Sequence, residues 1–379
     1  MNKLLLNWEN RLNMASKLRY TVVVCILLVL FMNCTTPKKN DFFTIDIDSA
    51  KDQTLSLSEI ADNIEAIELE MTDNSLINGI SGIRLAGDYI VVYESRSIFL
   101  FDKTGKFVRK IGSVGQGPGE FLYIRNVATD IKNTSLFVLC RMSGKIICYD
   151  FEGKVIKESS PDYRKGVENR ISINSENGDL LYITEKQETE NGEHVNISLL
   201  YTIDENLLIT DSIEIRKRYS RLYGATGGGS YSECVFNDGE STYLYFGDPT
   251  SDPVIIDTLY QLKNNQLIPY LNLNFRNRGL DAAGGKMITI LTIYKSSRYV
   301  FSRYGDDSQE KAYDICYDIK TGVCYKQLGG FLDDIHTGEK VRIRQIPSDS
   351  NMFYYSHTQI DDSAKDEPNP TLYIGTLKK

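Results

Sequence analysis

An all-β fold is predicted for this chain by two observations. Short apolar runs of strand length recur between Gly, Asp and Asn turns with almost no helix-length periodicity, in a chain with 24 Tyr, 15 Phe and a single Trp. The second observation is a repeat. Aligning Phe101-Asp102-x-x-Gly105-Lys106 with Tyr149-Asp150-x-x-Gly153-Lys154 gives a period of 149 minus 101, or 48 residues. A period near 50 with three or four strands per unit predicts a β-propeller, whose blades need neighbours to bury their faces.

The first unit reads as three antiparallel strands: 88–93, then 97–101, the turn 102–105, and 106–111. The second repeats it with 135–139, 145–149, the turn 150–153, and 154–157. Weaker copies run through Leu200-Tyr201-Thr202-Ile203-Asp204, through 242–246 with 258–262 and 266–268, and through 299–301 with 316–322. The last strands, 341–344, 351–355 and 371–374, fall short of a full blade. Phe42 to Ile47 alternates as a strand should and is expected to supply the missing one, closing a six-bladed ring and removing an exposed sheet edge. The segment Ser56 to Glu70 is expected to be mostly loop. No Pro-, Gly- or Ser-rich linker divides the chain after Asp41, so residues 42–379 are expected to form one domain.

Residues 14–34, MASKLRYTVVVCILLVLFMNC, set the address. Lys17 and Arg19 form a positive region before an apolar run from Thr21 to Met32, shorter than the roughly 20 residues a membrane span needs. Phe31-Met32-Asn33 offers no small residues for an ordinary signal-peptidase cut, which directs attention to Cys34. The segment resembles the signal of Gram-negative bacterial lipoproteins, in which that cysteine is acylated and becomes the first mature residue. It departs from that pattern at Phe31 and Asn33. The resemblance implies a signal peptide over residues 1–33, with Met14 a conventional start, a lipid-anchored tether over 34–41, and a place in the cell envelope. An uncleaved tethering helix is the other reading, and both put the body outside the cytoplasm. Thr35 to Asn40 lacks the acidic run that marks surface export in such lipoproteins, so a periplasm-facing anchor is expected.

Charge narrows the partners. With 43 Lys plus Arg against 51 Asp plus Glu the chain is mildly acidic, which opposes binding to nucleic acid. The dense basic stretch Arg216-Lys217-Arg218 with Arg221 reads as a solvated loop. Outside the signal and Cys34 there remain Cys140, Cys148, Cys234, Cys316 and Cys324. Export would permit Cys140/Cys148 or Cys316/Cys324 to pair across adjacent strands, but their apolar settings favour free core thiols. No zinc spacing appears, and three histidines leave little imidazole, so no metal or other cofactor is expected.

The most distinctive internal segment is Ile111-Gly112-Ser113-Val114-Gly115-Gln116-Gly117-Pro118-Gly119-Glu120-Phe121. It lacks the Gly-Lys-Ser/Thr ending and following helix of a phosphate loop and reads as a crossing between blades, with Phe121 plugging the joint. It resembles the joint of NHL repeats and, more closely, the exported six-bladed β-propeller lipoproteins of Gram-negative bacteria. Further echoes are Ile64 to Glu70, Asp257-Thr258-Leu259-Tyr260, Ile268-Pro269-Tyr270 and Gly330 to Ile335. The resemblance covers roughly residues 42 to 377 and implies the fold, while leaving the activity open.

Two functions of different kind remain. Propeller hydrolases and lyases hold a metal at the central channel, for which Asp238, Glu240, Asp248, Asp333 and Asp334 are candidate acids, though each fits a turn or loop role. No catalytic residue is assigned from these, because no nucleophile elbow or paired-histidine spacing accompanies them. The preferred reading is a membrane-held recognition or scaffold module. Tyr219, Tyr223 and Tyr231 flank the glycine-rich stretch 224–230 and are the candidate ligand-binding residues, since aromatic faces beside polar groups suit a glycan or peptide. A neighbouring envelope protein is the other expected partner.

Overall fold

The computed structural model describes residues 43–130, 132, 134–141, 143, 145–159, 170–220, 233–247, 254–358 and 368–379. Cys34, the signal and the tether lie outside the described residues. The fold is all-β and propeller-like. Helix is confined, among the described residues, to the single turns Leu57–Ile60 and Ile47–Ser49.

Among the described residues, six sheets built on four antiparallel strands follow one another along the chain, two of them extended by a parallel strand, beside two short two-stranded pairs. The first comprises Gly82–Ala86, Tyr89–Tyr93, Ile98–Asp102 and Phe107–Lys110, and the second Ile124–Asp130, Ser135–Cys140, Ile146–Asp150 and Val155–Ser159. Arg170–Ile173, Leu180–Glu190, Glu193–Ile203 and Ile209–Ser220 form the third. The fourth takes Val235–Asn237, Thr242–Leu244, Thr258–Lys263 and Gln266–Asn274, and the fifth Ile288–Lys295, Tyr299–Asp306, Lys311–Asp318 and Val323–Leu328. The sixth joins Arg344–Ile346, Asp349–His357 and Thr371–Leu377 to Ala61–Glu68 from the other end of the chain.

Strand alternation sends one set of side chains to each face of a sheet, and every face here finds a partner. Apolar clusters lie between the first and second sheets, the second and third, the third and fourth, the fourth and fifth, and the fifth and sixth. A further one lies between the sixth and the first, where Tyr354, Leu372 and Ile374 meet Ile83, Ile90 and Phe99.

The strand that completes the sixth sheet is not the one expected. Phe43–Asp46 runs parallel along the outer strand of the fourth sheet, Phe43 opposite Leu271 and Asp46 opposite Asn274. Lys51–Asp52 does the same on the fifth. The fourth place in the sixth sheet is taken by Ala61–Glu68, within the segment expected to be loop, which pairs antiparallel with Thr371–Leu377. The apolar spacing of three in Ile64 and Ile67 hides the strand, because a period of two is the usual signal. In a strand, residues three apart face opposite ways. Ile64 enters the cluster between the fifth and sixth sheets, and Ile67 the one between the sixth and first.

The Gly-rich crossing behaves as a joint. Phe121 is buried between the first two sheets. Gly112 has φ +68°, and a Cβ there would sit 2.7 Å from the Phe121 ring and the Tyr149 hydroxyl, so glycine is required. The loop amides are taken by the protein's own carboxylates: Gly117 N donates to Glu120 at 2.9 Å and Gly119 N to Glu158 at 2.6 Å.

The five cysteines among the described residues are all buried, and Cys140, Cys148, Cys316 and Cys324 are free thiols. Cys316 is the register partner of Tyr325 and Cys324 of Tyr317, so the two cysteines are one step out of register. They enter different clusters on opposite faces of the fifth sheet, and Cys140 and Cys148 are likewise split across the second. A disulfide needs Cβ atoms about 3.8 Å apart, which opposite faces cannot supply.

Candidate functional site

Arg84 stands in the first strand of the first sheet, between the apolar Ile83 and Leu85, and is 3% exposed. Its Nε donates to Val127 O at 2.6 Å, Nη1 to Ile83 O at 2.7 Å, and Nη2 to Glu233 Oε1 at 2.6 Å. The guanidinium also lies 5.3 Å from the Tyr93 ring. Asn126 Nδ2 reaches both Glu233 oxygens at 3.4 Å, while Asn126 Oδ1 accepts from Ile171 N at 2.9 Å. First, second and third sheets are thereby tied to the lead-in of the fourth. Burial works against the Arg84 charge, but the Glu233 carboxylate beside it outweighs that and holds the guanidinium protonated.

A second ion pair stands where the fifth sheet meets the fourth. Lys295 Nζ lies 2.8 Å from Asp238 Oδ2 and 4.6 Å from the centre of the Tyr243 ring. Asp238 also accepts from Glu240 N and Ser241 N. Burial would raise the Asp238 carboxyl, and the Lys295 bond overrides it and lowers it instead.

The other candidate acids are held in structural bonds or lie apart. Asp333 is fully buried and accepts from Ile335 N, His336 N, Thr337 N, the Thr337 hydroxyl and the Tyr355 hydroxyl. Asp334 receives Ser58 N at 3.1 Å and the Ser58 hydroxyl at 2.5 Å, fastening the one-turn helix. Glu240 is exposed in a turn, and Asp248 lies outside the described residues. Among the described residues no group of three or more His, Cys, Asp or Glu is placed to hold a metal ion.

Of the three candidate tyrosines, Tyr223 and Tyr231 lie outside the described residues. Tyr219 is placed at the end of the third sheet, 56% exposed. The middle and outer strands of that sheet run 11, 11 and 12 residues, against 5, 5 and 4 in the first. Six or so extra residues at about 3.4 Å each make a projection of about 20 Å. Its hairpin turns at Asn191-Gly192, both at positive φ, the pairing such a tight turn prefers. Of the basic stretch expected to be a loop, Arg216, Lys217 and Arg218 are instead part of this projection, and Arg221 lies outside the described residues. Arg216 lies 3.9 Å from the buried Glu185, and Lys217 pairs with Glu190 at 2.7 Å. The Tyr219 hydroxyl donates to Glu190 at 3.3 Å, and Lys217 Nζ lies over its ring, 5.9 Å from the centroid.

Sequence reasoning missed Arg84, Asn126 and Glu233. The available signal was a lone arginine inside the apolar strand Ile83 to Leu85.

The family model described as "Domain of unknown function (DUF4934)" matches residues 42–378. No curated protein matches the chain. Among solved structures, one described as "Putative exported protein" from Bacteroides fragilis NCTC 9343 is 15% identical, with a TM-score of 0.62 over 89% of this chain and 100% of that one. That likeness is one of fold. A member of the duf4221 family from Bacteroides vulgatus is 10% identical, with a TM-score of 0.46 over 84% of this chain and 97% of that one. The Neurospora crassa Pan2 WD40 domain is 10% identical, with a TM-score of 0.40 over 79% and 76%.

Proposed function

The chain belongs to the DUF4934 family, a domain of unknown function, and from that premise we propose that it is an exported, lipid-anchored, six-bladed β-propeller acting as a recognition or scaffold module. The six apolar clusters between successive sheets, the last joining the sixth sheet to the first, support the six-bladed ring, with Ala61–Glu68 as the closing strand. The Gly-rich joint with Phe121 inserted supports kinship with NHL repeats. Export draws on the apolar run before Cys34 and on the printed description of the Bacteroides fragilis structure. Cys34 then carries the lipid, residues 35–41 form the tether, and the domain faces the periplasm of a Gram-negative envelope. Cys34→Ser should move the protein from the membrane fraction to the soluble fraction. Retention in the membrane fraction would count against the anchor.

The observation that carries recognition is the third sheet, which projects beyond its neighbours and presents Tyr219 beside Lys217 and Glu190 at its end. Tyrosine offers contact area at little entropic cost, and the flanking charges add polar contacts for a glycan, a peptide or a neighbouring envelope protein. A metal-dependent hydrolase or lyase would need Asp238, Asp333 or Asp334 released from the bonds that hold them. The mature protein screened against glycan and peptide arrays should bind a ligand, and Tyr219→Ala should weaken it about tenfold, as truncation of an interfacial tyrosine does. An array without hits, together with a rise in melting temperature on adding a divalent cation, would favour the enzyme.

A further inference from the structure

The crossing from the first sheet to the second leaves apolar side chains in water where its backbone is pinned. Phe121 and Ile124 are buried, while Leu122 and Tyr123 between them are 37% and 42% exposed. Val114, the register partner of Phe121, is 43% exposed. Three backbone bonds hold the stretch: Gly115 N donates to Phe121 O at 3.1 Å, Ile124 N to Ser95 O at 2.7 Å, and Arg141 N to Tyr123 O at 2.9 Å. The last two draw the hairpins that follow Tyr89–Tyr93 and Ser135–Cys140 against the crossing. Apolar residues scattered singly on a surface are ordinary, but adjacent ones mark an interaction surface. One on a fixed backbone loses little conformational entropy when a partner docks.

Each of those hairpins adds an exposed arginine, Arg96 and Arg141. The Arg96 guanidinium lies 5.5 Å from the centre of the Tyr123 ring, and neither arginine has an ion pair among the described residues. The carboxylates of the same segments are turned to backbone amides: Glu94 accepts from Gly79 N and Glu120 from Gly117 N, both at 2.9 Å. Lys145 is likewise taken, by Gly117 O at 3.1 Å and Glu158 at 3.3 Å. What remains to face a partner is two guanidinium groups beside an aromatic ring and a leucine.

A guanidinium matches a carboxylate with two parallel N–H bonds, and Tyr and Arg are the residues on which protein interfaces most depend. We propose that this surface docks an acidic segment of a second protein, its carboxylates on Arg96 and Arg141 and an apolar side chain against Leu122 and Tyr123. An anionic bilayer fits less well. It would face the whole chain, with a formal net charge of -8, whereas a short segment feels only charges within about 10 Å at ordinary salt. The surface is separate from Tyr219 and stands whether or not that residue binds a ligand.

Selection of a displayed peptide library on the full mature protein tests it. Enriched sequences should carry Asp or Glu flanking an aromatic or aliphatic residue, and their binding should weaken as ionic strength rises. Synthetic copies with Lys in place of each acid should bind at least tenfold more weakly. Arg141→Glu and Tyr123→Ala should each weaken the acidic peptides tenfold or more, while Tyr219→Ala leaves them unchanged. Both altered positions are exposed, so the variants should fold, and circular dichroism checks that they do. Three results would each overturn the proposal: a selection that enriches no acidic sequences, binding that follows Tyr219 instead of Tyr123, or peptides held by Arg141→Glu as by the wild type. Phosphatidylglycerol vesicles bound through Arg96 and Arg141, with no acidic peptide bound there, would assign the surface to a membrane and overturn it as well.

Discussion

Glu233→Ala should lower the stability of the folded chain by about 3–5 kcal/mol, the range for removing one partner of a buried ion pair. The reason lies in what is left behind. Arg84 is 4% exposed at its side chain and would keep a charge with no carboxylate beside it. Its remaining bonds to Val127 O and Ile83 O are to neutral carbonyls and do not replace the lost anion. Asn126 would also lose its carboxylate partner, loosening the contact of the second sheet with the fourth. The double variant Arg84→Met with Glu233→Leu should recover most of the loss, because apolar pairs of similar volume often match buried ion pairs. Denaturant unfolding of the three proteins checks this, and a single variant as stable as the wild type would show that the pair does not bind the sheets together.

Asp333→Ala should cost about 3 kcal/mol or more at neutral pH, since five donors converge on that carboxylate and a charged acceptor contributes more per bond than a neutral one. The effect should depend on pH in a definite direction. Burial pushes the Asp333 carboxyl up, but the bonds from Tyr355, His336 N and Thr337 outweigh it and hold it below the ordinary aspartate value. A carboxyl whose folded pKa lies below its unfolded value of about 3.9 stabilises fully above that pH. The contribution is then lost as pH falls through the folded pKa. The gap between wild type and Asp333→Ala should therefore hold near neutrality and shrink below about pH 4. Unfolding curves at pH 7 and pH 3 measure it, and a gap that widens on acidification would mean the carboxylate is not the stabilising form.

The strands of the first two sheets could be read from the sequence because their side chains alternate and their turns carry Asp and Gly at fixed offsets. Phe121 could be read for the same reason, as an aromatic ending a glycine run too short to fold on itself. Ala61–Glu68 could not. Its inward residues serve two different clusters, and a period of three in a strand looks like a broken helix or a loop. Register was equally hidden. Whether Cys316 meets Cys324 turns on a single-residue offset that composition does not encode. Arg84 and Glu233 are 149 residues apart in the chain, and nothing local marks them as partners. Asp333 and Asp334 were legible as acids suited to a loop, and the local donors Ile335 N, His336 N and Thr337 on Asp333 fit that, but the distant donors Tyr355 and Ser58 could not be read from the sequence.

The stretch from Phe43 to Ile60 lies along the outer edges of two sheets before the chain enters a third. Its fastening is distributed. Four parallel register pairs hold Phe43–Asp46, Arg276 grips Asp46 at 2.6 Å, Arg278 grips Asp48 at 2.6 Å, and Lys326 reaches Asp52 at 3.2 Å. A pull along the strand from the N-terminal side of Phe43 loads the four pairs together in shear, and the tension meets Ala61–Glu68 last. The segment works as a cable clamp works on a cord: strain is taken up on the outside of the fourth and fifth sheets, and the strand that joins the two ends of the chain is shielded from it.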